Sequence, residues 1–189
     1  MRIISGALGG QNIPAKPNPK MRPTSDKVKE AIFDQLTAKW IDDWESVTVL
    51  DLFAGTGALG IECLSRGAKK AVFVDHHLVT SKELTKTLQH FGLSERSEVL
   101  CKGALEAIRW LHARGDRFDL IIMDPPYRED WVLASLAALQ TSQLLTKRGL
   151  IVAEHDKREI PSPSQVVWKT EGSRRYGDTQ VTLFTPSYS

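Results

Sequence analysis

At 189 residues, with 41% apolar content and a formal net charge of +2, the chain is sized for one globular domain with a full core. It holds no apolar run near the ~18 residues of a membrane span, and Met1-Arg2-Ile3-Ile4-Ser5-Gly6 lacks an apolar signal-peptide core. Two isolated cysteines, Cys63 and Cys101, in apolar surroundings, and five histidines without HExxH spacing, argue against a disulfide framework or a metal site and fit a reducing cytoplasm.

Residues 1–22 read as irregular or hairpin-like, with Gly6, Gly9 and Gly10 and prolines at 14, 17 and 19. They carry Arg2, Lys16, Lys20 and Arg22 and no acidic residue. A near-neutral chain that opens on a basic arm points to a polyanionic partner; the blander reading is a solvated terminus. Residues 23–189 form the main domain. Thr24 or Ser25 caps its first helix, Asp26 favours the first turn, and Val28, Ala31, Ile32 and Leu36 supply the apolar stripe. Trp40 to Ser46 is a connection.

Strands and helices then alternate. Strands are expected at 47–52, 70–75, 97–101, 118–123 and 149–154, and helices at 58–66, 78–91, 103–114 and 129–141. Apolar strands in regular βα alternation mean an α/β fold with a parallel sheet covered on both faces. Residues 166–169 and 181–184 are two strands with no long helix between them, so an antiparallel hairpin closes one sheet edge.

The first strand runs into Asp51-Leu52-Phe53-Ala54-Gly55-Thr56-Gly57-Ala58-Leu59-Gly60, a glycine-rich turn opening a helix. Gly55 and Gly57 permit close ligand approach, and the helix start offers free N–H groups. The glycine pattern alone suits a dinucleotide oxidoreductase equally well. Two additions favour S-adenosylmethionine (SAM) over NAD. Asp51 ends its strand where a carboxylate meets a positively charged ligand group. Asp75 ends the next strand 18 residues after Gly57 (75 − 57), placed for ribose hydroxyls, with His76 beside it. The candidate cofactor residues here are Asp51, Phe53, Ala54, Gly55, Thr56, Gly57, Asp75 and His76.

The fourth strand ends in Asp124-Pro125-Pro126-Tyr127. The prolines hold this loop extended. The Asp124 carboxylate and Pro125 carbonyl each accept one N–H of an exocyclic amine on a planar base, and Tyr127 stacks on the ring. Such an amine is a poor nucleophile because its lone pair is delocalised into the ring. Two acceptors that fix its hydrogens turn the lone pair toward a methyl donor, so orientation carries much of the rate. Asp124 need not be a strong base, and neither metal nor covalent intermediate is required.

These motifs resemble the RsmD family, bacterial methyltransferases acting on a guanine N2 amine of small-subunit (16S) ribosomal RNA. The likeness spans nearly the whole chain. It includes Arg2-Ile3-Ile4-Ser5-Gly6, Arg22-Pro23-Thr24-Ser25-Asp26, the glycine loop, Asp124 to Tyr127, Glu154-His155 and Tyr176-Gly177-Asp178-Thr179. The resemblance implies a seven-stranded Rossmann-like SAM-binding fold, a cytoplasmic monomer, and action on RNA in the assembled subunit. It also implies that Arg22 and Thr24 line the cofactor's methionine end. Two positions depart from the family. Gly103 stands where Asp or Asn meets the adenine amine, leaving adenine to backbone groups or to Ala104 and Leu105, and Thr87 stands where Asn is common. For RNA contact the candidates are Arg2, Lys16 and Lys20, with Arg174 and Arg175 as a comparison set. The rival readings are a DNA adenine methyltransferase, for which no DNA-reading insertion is evident; an NAD-dependent oxidoreductase, which leaves Asp-Pro-Pro-Tyr unused; and a non-catalytic RNA-binding protein.

Overall fold

The structure is a computed structural model and describes residues 1–14, 26–126, 130–159 and 167–187. Seven strands form one sheet: β1 (Thr48–Asp51), β2 (Lys70–Asp75), β3 (Ser97–Cys101), β4 (Phe118–Met123), β5 (Leu145–Asp156), β6 (Trp168–Tyr176) and β7 (Thr179–Pro186). Their spatial order is β3-β2-β1-β4-β5-β7-β6. β1 to β5 pair in parallel, while β7 pairs antiparallel with both β5 and β6. This is the seven-stranded sheet with an antiparallel edge hairpin that the sequence leads one to expect. Its order reverses between β1 and β4, and open α/β sheets bind ligands at such a switch.

Alternation along the strands divides the core. Val49, Ala71, Phe73, Leu120, Ile122, Leu150 and Val152 face α1 (Asp26–Lys39), α2 (Ala58–Ser65) and α3 (Leu78–His90). Leu50, Val72, Val74, Ile121, Met123, Ile151 and Ala153 face α4 (Ala104–Arg114) and α5 (Trp131–Ser142). With both faces covered, the middles of the inner strands (49–50, 71–74, 120–123 and 150–153) are apolar on both sides, which is why they read as continuous runs. Among the described residues no helix is long and apolar enough to cross a membrane.

Residues 1–13 close on themselves through an Arg2–Asn12 bridge, with the Ile3 N–H donating to the Gln11 carbonyl and the Ile13 N–H to that of Met1. Ile3 and Ile13 are buried in the core beside α1 and α2. β5 begins at Leu145, four residues before the expected 149, and the hairpin strands are longer than their apolar runs. α5 starts at Trp131 rather than 129, after Asp130 takes left-handed φ of 54°. Cys63 is buried as expected, whereas Cys101 is exposed, a correction to its reading as an apolar-site cysteine. It ends β3, the sheet's edge strand, with its Sγ 3.9 Å from the His76 carbonyl oxygen.

Candidate active site

The carboxyl ends of β1, β2 and β4 meet at one sheet edge. The Leu52 N–H donates to the Ile122 carbonyl at 2.9 Å and the Ala54 N–H to Val74 at 2.8 Å, so the loop after β1 is stitched to both neighbours. The Gly57 N–H closes a tight turn onto the Ala54 carbonyl at 2.7 Å. Gly57 sits at φ 78°, and a Cβ there would lie 2.4 Å from Leu84 Cδ1. At Gly60 a Cβ would meet the Phe73 ring at 2.3 Å. These two glycines serve the close seating of α2 on the sheet and α3, while Gly55, at φ 52°, shapes the rim of the loop.

Asp51 is 2% exposed, and its Oδ2 accepts the Gly60 N–H at 3.0 Å. It sits at the positive start of α2, where a carboxylate is favoured. Burial pushes its pKa up to about 7, against the lowering by the Gly60 N–H, and Asp75 nearby raises it further. Asp75 holds the loop from the other side. Its Oδ2 accepts the Gly55 N–H at 3.0 Å and its Oδ1 the His77 N–H at 2.8 Å. Each oxygen of a carboxylate has a second acceptor site, so a half-buried Asp75 fixed by two backbone donors still has capacity for ribose hydroxyls. His76 is exposed beside it, its ring tilted 40° to that of His77 with centroids 3.7 Å apart. Gly103 precedes Ala104 in the first turn of α4, and a Cβ at Gly103 would meet nothing within 4 Å. Where the resemblance leads one to expect Asp or Asn, Gly103 therefore leaves open space. Fixed carboxylate, glycine rim and open flank together fit a nucleoside cofactor.

Asp124 follows β4, two residues beyond Ile122, which pairs with Asp51. It is half-buried, Pro125 is buried and Pro126 is exposed. The structure thus brings Asp124, Pro125 and Pro126 to the same edge as Asp51, Phe53 and the glycine loop. Arg2 is exposed on the N-terminal hairpin, and Arg174 and Arg175 are exposed on β6. Lys16, Lys20, Arg22, Thr24 and Tyr127 lie outside the described residues.

Two features are not visible in the sequence pattern alone. Trp131 packs edge-on against Phe53 with centroids 6.2 Å apart, an aromatic wall beside the Asp124 loop; its one signal is an aromatic at the start of the helix after that loop. Glu62, fully buried in α2, accepts the Ile4 N–H at 2.7 Å, the Ser5 N–H at 3.0 Å and Arg66 Nε at 2.9 Å. Lys29 Nζ lies 3.6 Å away and also donates to the Arg2 carbonyl. One carboxylate ties the N-terminal hairpin and α1 to the helix that opens at the glycine loop. An acid inside an apolar helical run is the available hint.

Residues 1–185 match the family described as conserved hypothetical protein 95. The chain is 39% identical over 166 residues to "Putative rRNA methyltransferase YlbH" of Bacillus subtilis, covering 88% of each. It is 34% identical over 158 residues to "Ribosomal RNA small subunit methyltransferase D" of Haemophilus influenzae, covering 83% of this chain and 79% of that one. A solved structure described as "Putative methyltransferase yhhF from Escherichia coli" superposes with a TM-score of 0.82 at 25% identity, over 98% of this chain and 97% of that one.

Proposed function

The chain belongs to the family described as conserved hypothetical protein 95, and from that premise we propose that it transfers a methyl group from SAM to the exocyclic N2 amine of a guanine in small-subunit ribosomal RNA within the assembled subunit. The observation that carries this reading is the meeting of a nucleoside-type cradle and the Asp124-Pro125-Pro126 loop across adjacent strands β1 and β4. The names of the relatives support ribosomal RNA as the substrate class.

When bound, SAM supplies an electrophilic methyl on a good leaving group, so the chain's task is placement. Asp75, locked by Gly55 and His77, orients the ribose. Asp51 and the start of α2 set the amino-acid end. The Asp124 carboxylate and the Pro125 carbonyl accept the two amine N–H groups, which aims the lone pair at the methyl; Asp124 takes the proton after the amine nitrogen has bonded to carbon and become acidic. The target base must leave its stack to reach this loop, and Phe53 with Trp131 walls the approach from one side.

The deciding experiment separates the two halves of the site. Labelled SAM is incubated with unmodified small subunits, protein-free ribosomal RNA, transfer RNA and DNA, and the methylated nucleoside is identified after digestion. N2-methylguanosine from small subunits is expected; N6-methyladenosine from DNA would replace this reading. Asp124→Ala is expected to retain SAM affinity while transfer collapses. Asp75→Ala should weaken SAM binding by roughly 1.5–3 kcal/mol, the worth of charge-assisted hydrogen bonds. Near-parental turnover by Asp124→Ala would mean that something else orients the amine.

A further inference from the structure

The two irregularities of the sheet converge on one spot, at the end opposite the candidate active site. In β5, Phe118 pairs with Leu145 but Leu120 pairs with Leu150, so three extra residues are pushed out of an interior strand. In β6, Thr170 pairs with Phe184 and Gly172 with Leu183, leaving Glu171 as an extra residue. Bulges forfeit ladder hydrogen bonds and re-aim side chains. The β5 bulge is firmly built. Thr146 Oγ1 donates to Asp119 Oδ1 at 3.0 Å, and a Cβ at Gly149 would lie 2.6 Å from Leu145 Cδ1 and 3.0 Å from the Thr146 carbonyl oxygen, so a larger residue there would have to push the Leu145 side chain aside.

What the bulge presents is positive charge. Lys147 and Arg148 stand exposed at its tip and form no ion pair among the described residues. With Lys169 and Trp40 they line a concavity of about 390 Å³. Its carboxylate, Glu171, is taken up by Lys169 Nζ at 2.8 Å and the Thr185 hydroxyl at 2.8 Å. The Trp40 indole N–H is buried with no hydrogen-bond partner among the described residues, and Lys39 precedes it, exposed. The unpaired Lys147 and Arg148 suit phosphate oxygens, and an indole ring on the wall of the concavity suits a base or sugar.

We infer that this groove is a second contact for the sugar–phosphate backbone of the RNA substrate, remote from the reacting base; the inference rests on the proposed function. Five strand steps separate Gly149 from Glu154, which is level with the Asp124 loop, so the two contacts lie roughly 17 Å apart or more. A substrate that reaches both must extend well past the target nucleotide.

The test uses the full chain and protein-free small-subunit ribosomal RNA, with affinity measured from 50 to 300 mM KCl. Lys147→Gln/Arg148→Gln is expected to weaken RNA binding roughly tenfold and to flatten the dependence of log affinity on log salt by about 0.7–0.9 for each phosphate no longer neutralised. SAM affinity and the thermal midpoint stay parental. Trp40→Leu, which keeps an apolar side chain against the core and removes the aromatic face, should weaken RNA binding a few-fold. Parental affinity and salt slope in the double variant, with methyl transfer intact in the parent, overturn the inference and leave the proposed function standing. Weakened binding to assembled subunits but not to protein-free RNA also overturns it, because the groove would then meet a protein. A parent that transfers no methyl to ribosomal RNA defeats the proposed function and this inference together.

Discussion

Asp51 holds a carboxyl pushed up to about 7 by burial, one oxygen on the Gly60 N–H, at a site proposed to receive the cationic end of SAM. An acid whose folded pKa is raised binds its proton more tightly than the unfolded chain does. Stability therefore falls as pH rises from about 4 to about 7 and is level above, over a range of at most about 4 kcal/mol. A cationic ligand inverts the preference, since it binds the ionised form and expels the proton. SAM affinity is accordingly expected to rise nearly tenfold per pH unit from 5.5 toward 7 and then level off, while Asp51→Asn binds more weakly with little pH dependence. Calorimetry over pH 5.5–7.5 reads both, and a flat parental profile would detach Asp51 from the ligand's charge. Spacing alone put Asp75 at the end of the second strand, where the structure also has it; its contact with ribose belongs to the proposed function. Asp51's role as a brace for α2 was not legible, because sequence distance says nothing about which N–H a buried carboxylate meets.

At the level of elements, the strands buried on both faces were readable because their middles are apolar on both sides. β5's first residues, Leu145 to Arg148, and most of β6 were not. The former enter the sheet through a bulge, and the latter form a half-solvated edge strand whose Lys169, Glu171, Arg174 and Arg175 hide the pairing. The N-terminal hairpin shows the same limit. Its attachment depends on Glu62, which gathers two backbone N–H groups, Arg66 and Lys29 in one buried cluster. Burial pulls the Lys29 pKa down while Glu62 pushes it back up, so the pair is interdependent. Glu62→Ala strands a buried ammonium and is expected to cost about 3–5 kcal/mol. Glu83→Ala, which removes only the exposed Lys86 pair, should stay within about 0.5 kcal/mol. Urea unfolding of both variants checks this, and equal losses would show that the hairpin is held by Ile3 and Ile13 rather than by the ionic cluster.

For the whole molecule, a net charge of +2 is too small to hold RNA without concentrated patches, and their positions along the sheet set what each does. β7 starts at Thr179, paired with Asp156 at the carboxyl end of β5, so the hairpin turn that follows Arg174 and Arg175 lies beside the edge carrying Asp124. Arg2 stands on the docked N-terminal hairpin, and Lys16 and Lys20 lie outside the described residues. Both sets are proposed to contact RNA, the Arg174 and Arg175 pair close to the target base. Counterion release makes each side chain withdrawn from a phosphate measurable as a drop in salt slope, about 0.7 per phosphate on single-stranded RNA. Arg2→Ala/Lys16→Ala/Lys20→Ala is expected to weaken RNA binding sharply while leaving SAM affinity nearly unchanged. Arg174→Ala/Arg175→Ala serves as the comparison, read by the same titration at several salt concentrations. Arg175 spends its Nε–H on the Gly177 carbonyl at 2.8 Å, which stiffens the turn and leaves its terminal nitrogens to face solvent or ligand. If the triple variant keeps parental affinity and slope while the hairpin variant loses both, the N-terminal segment acts only through packing, and the RNA enters across β6 and β7.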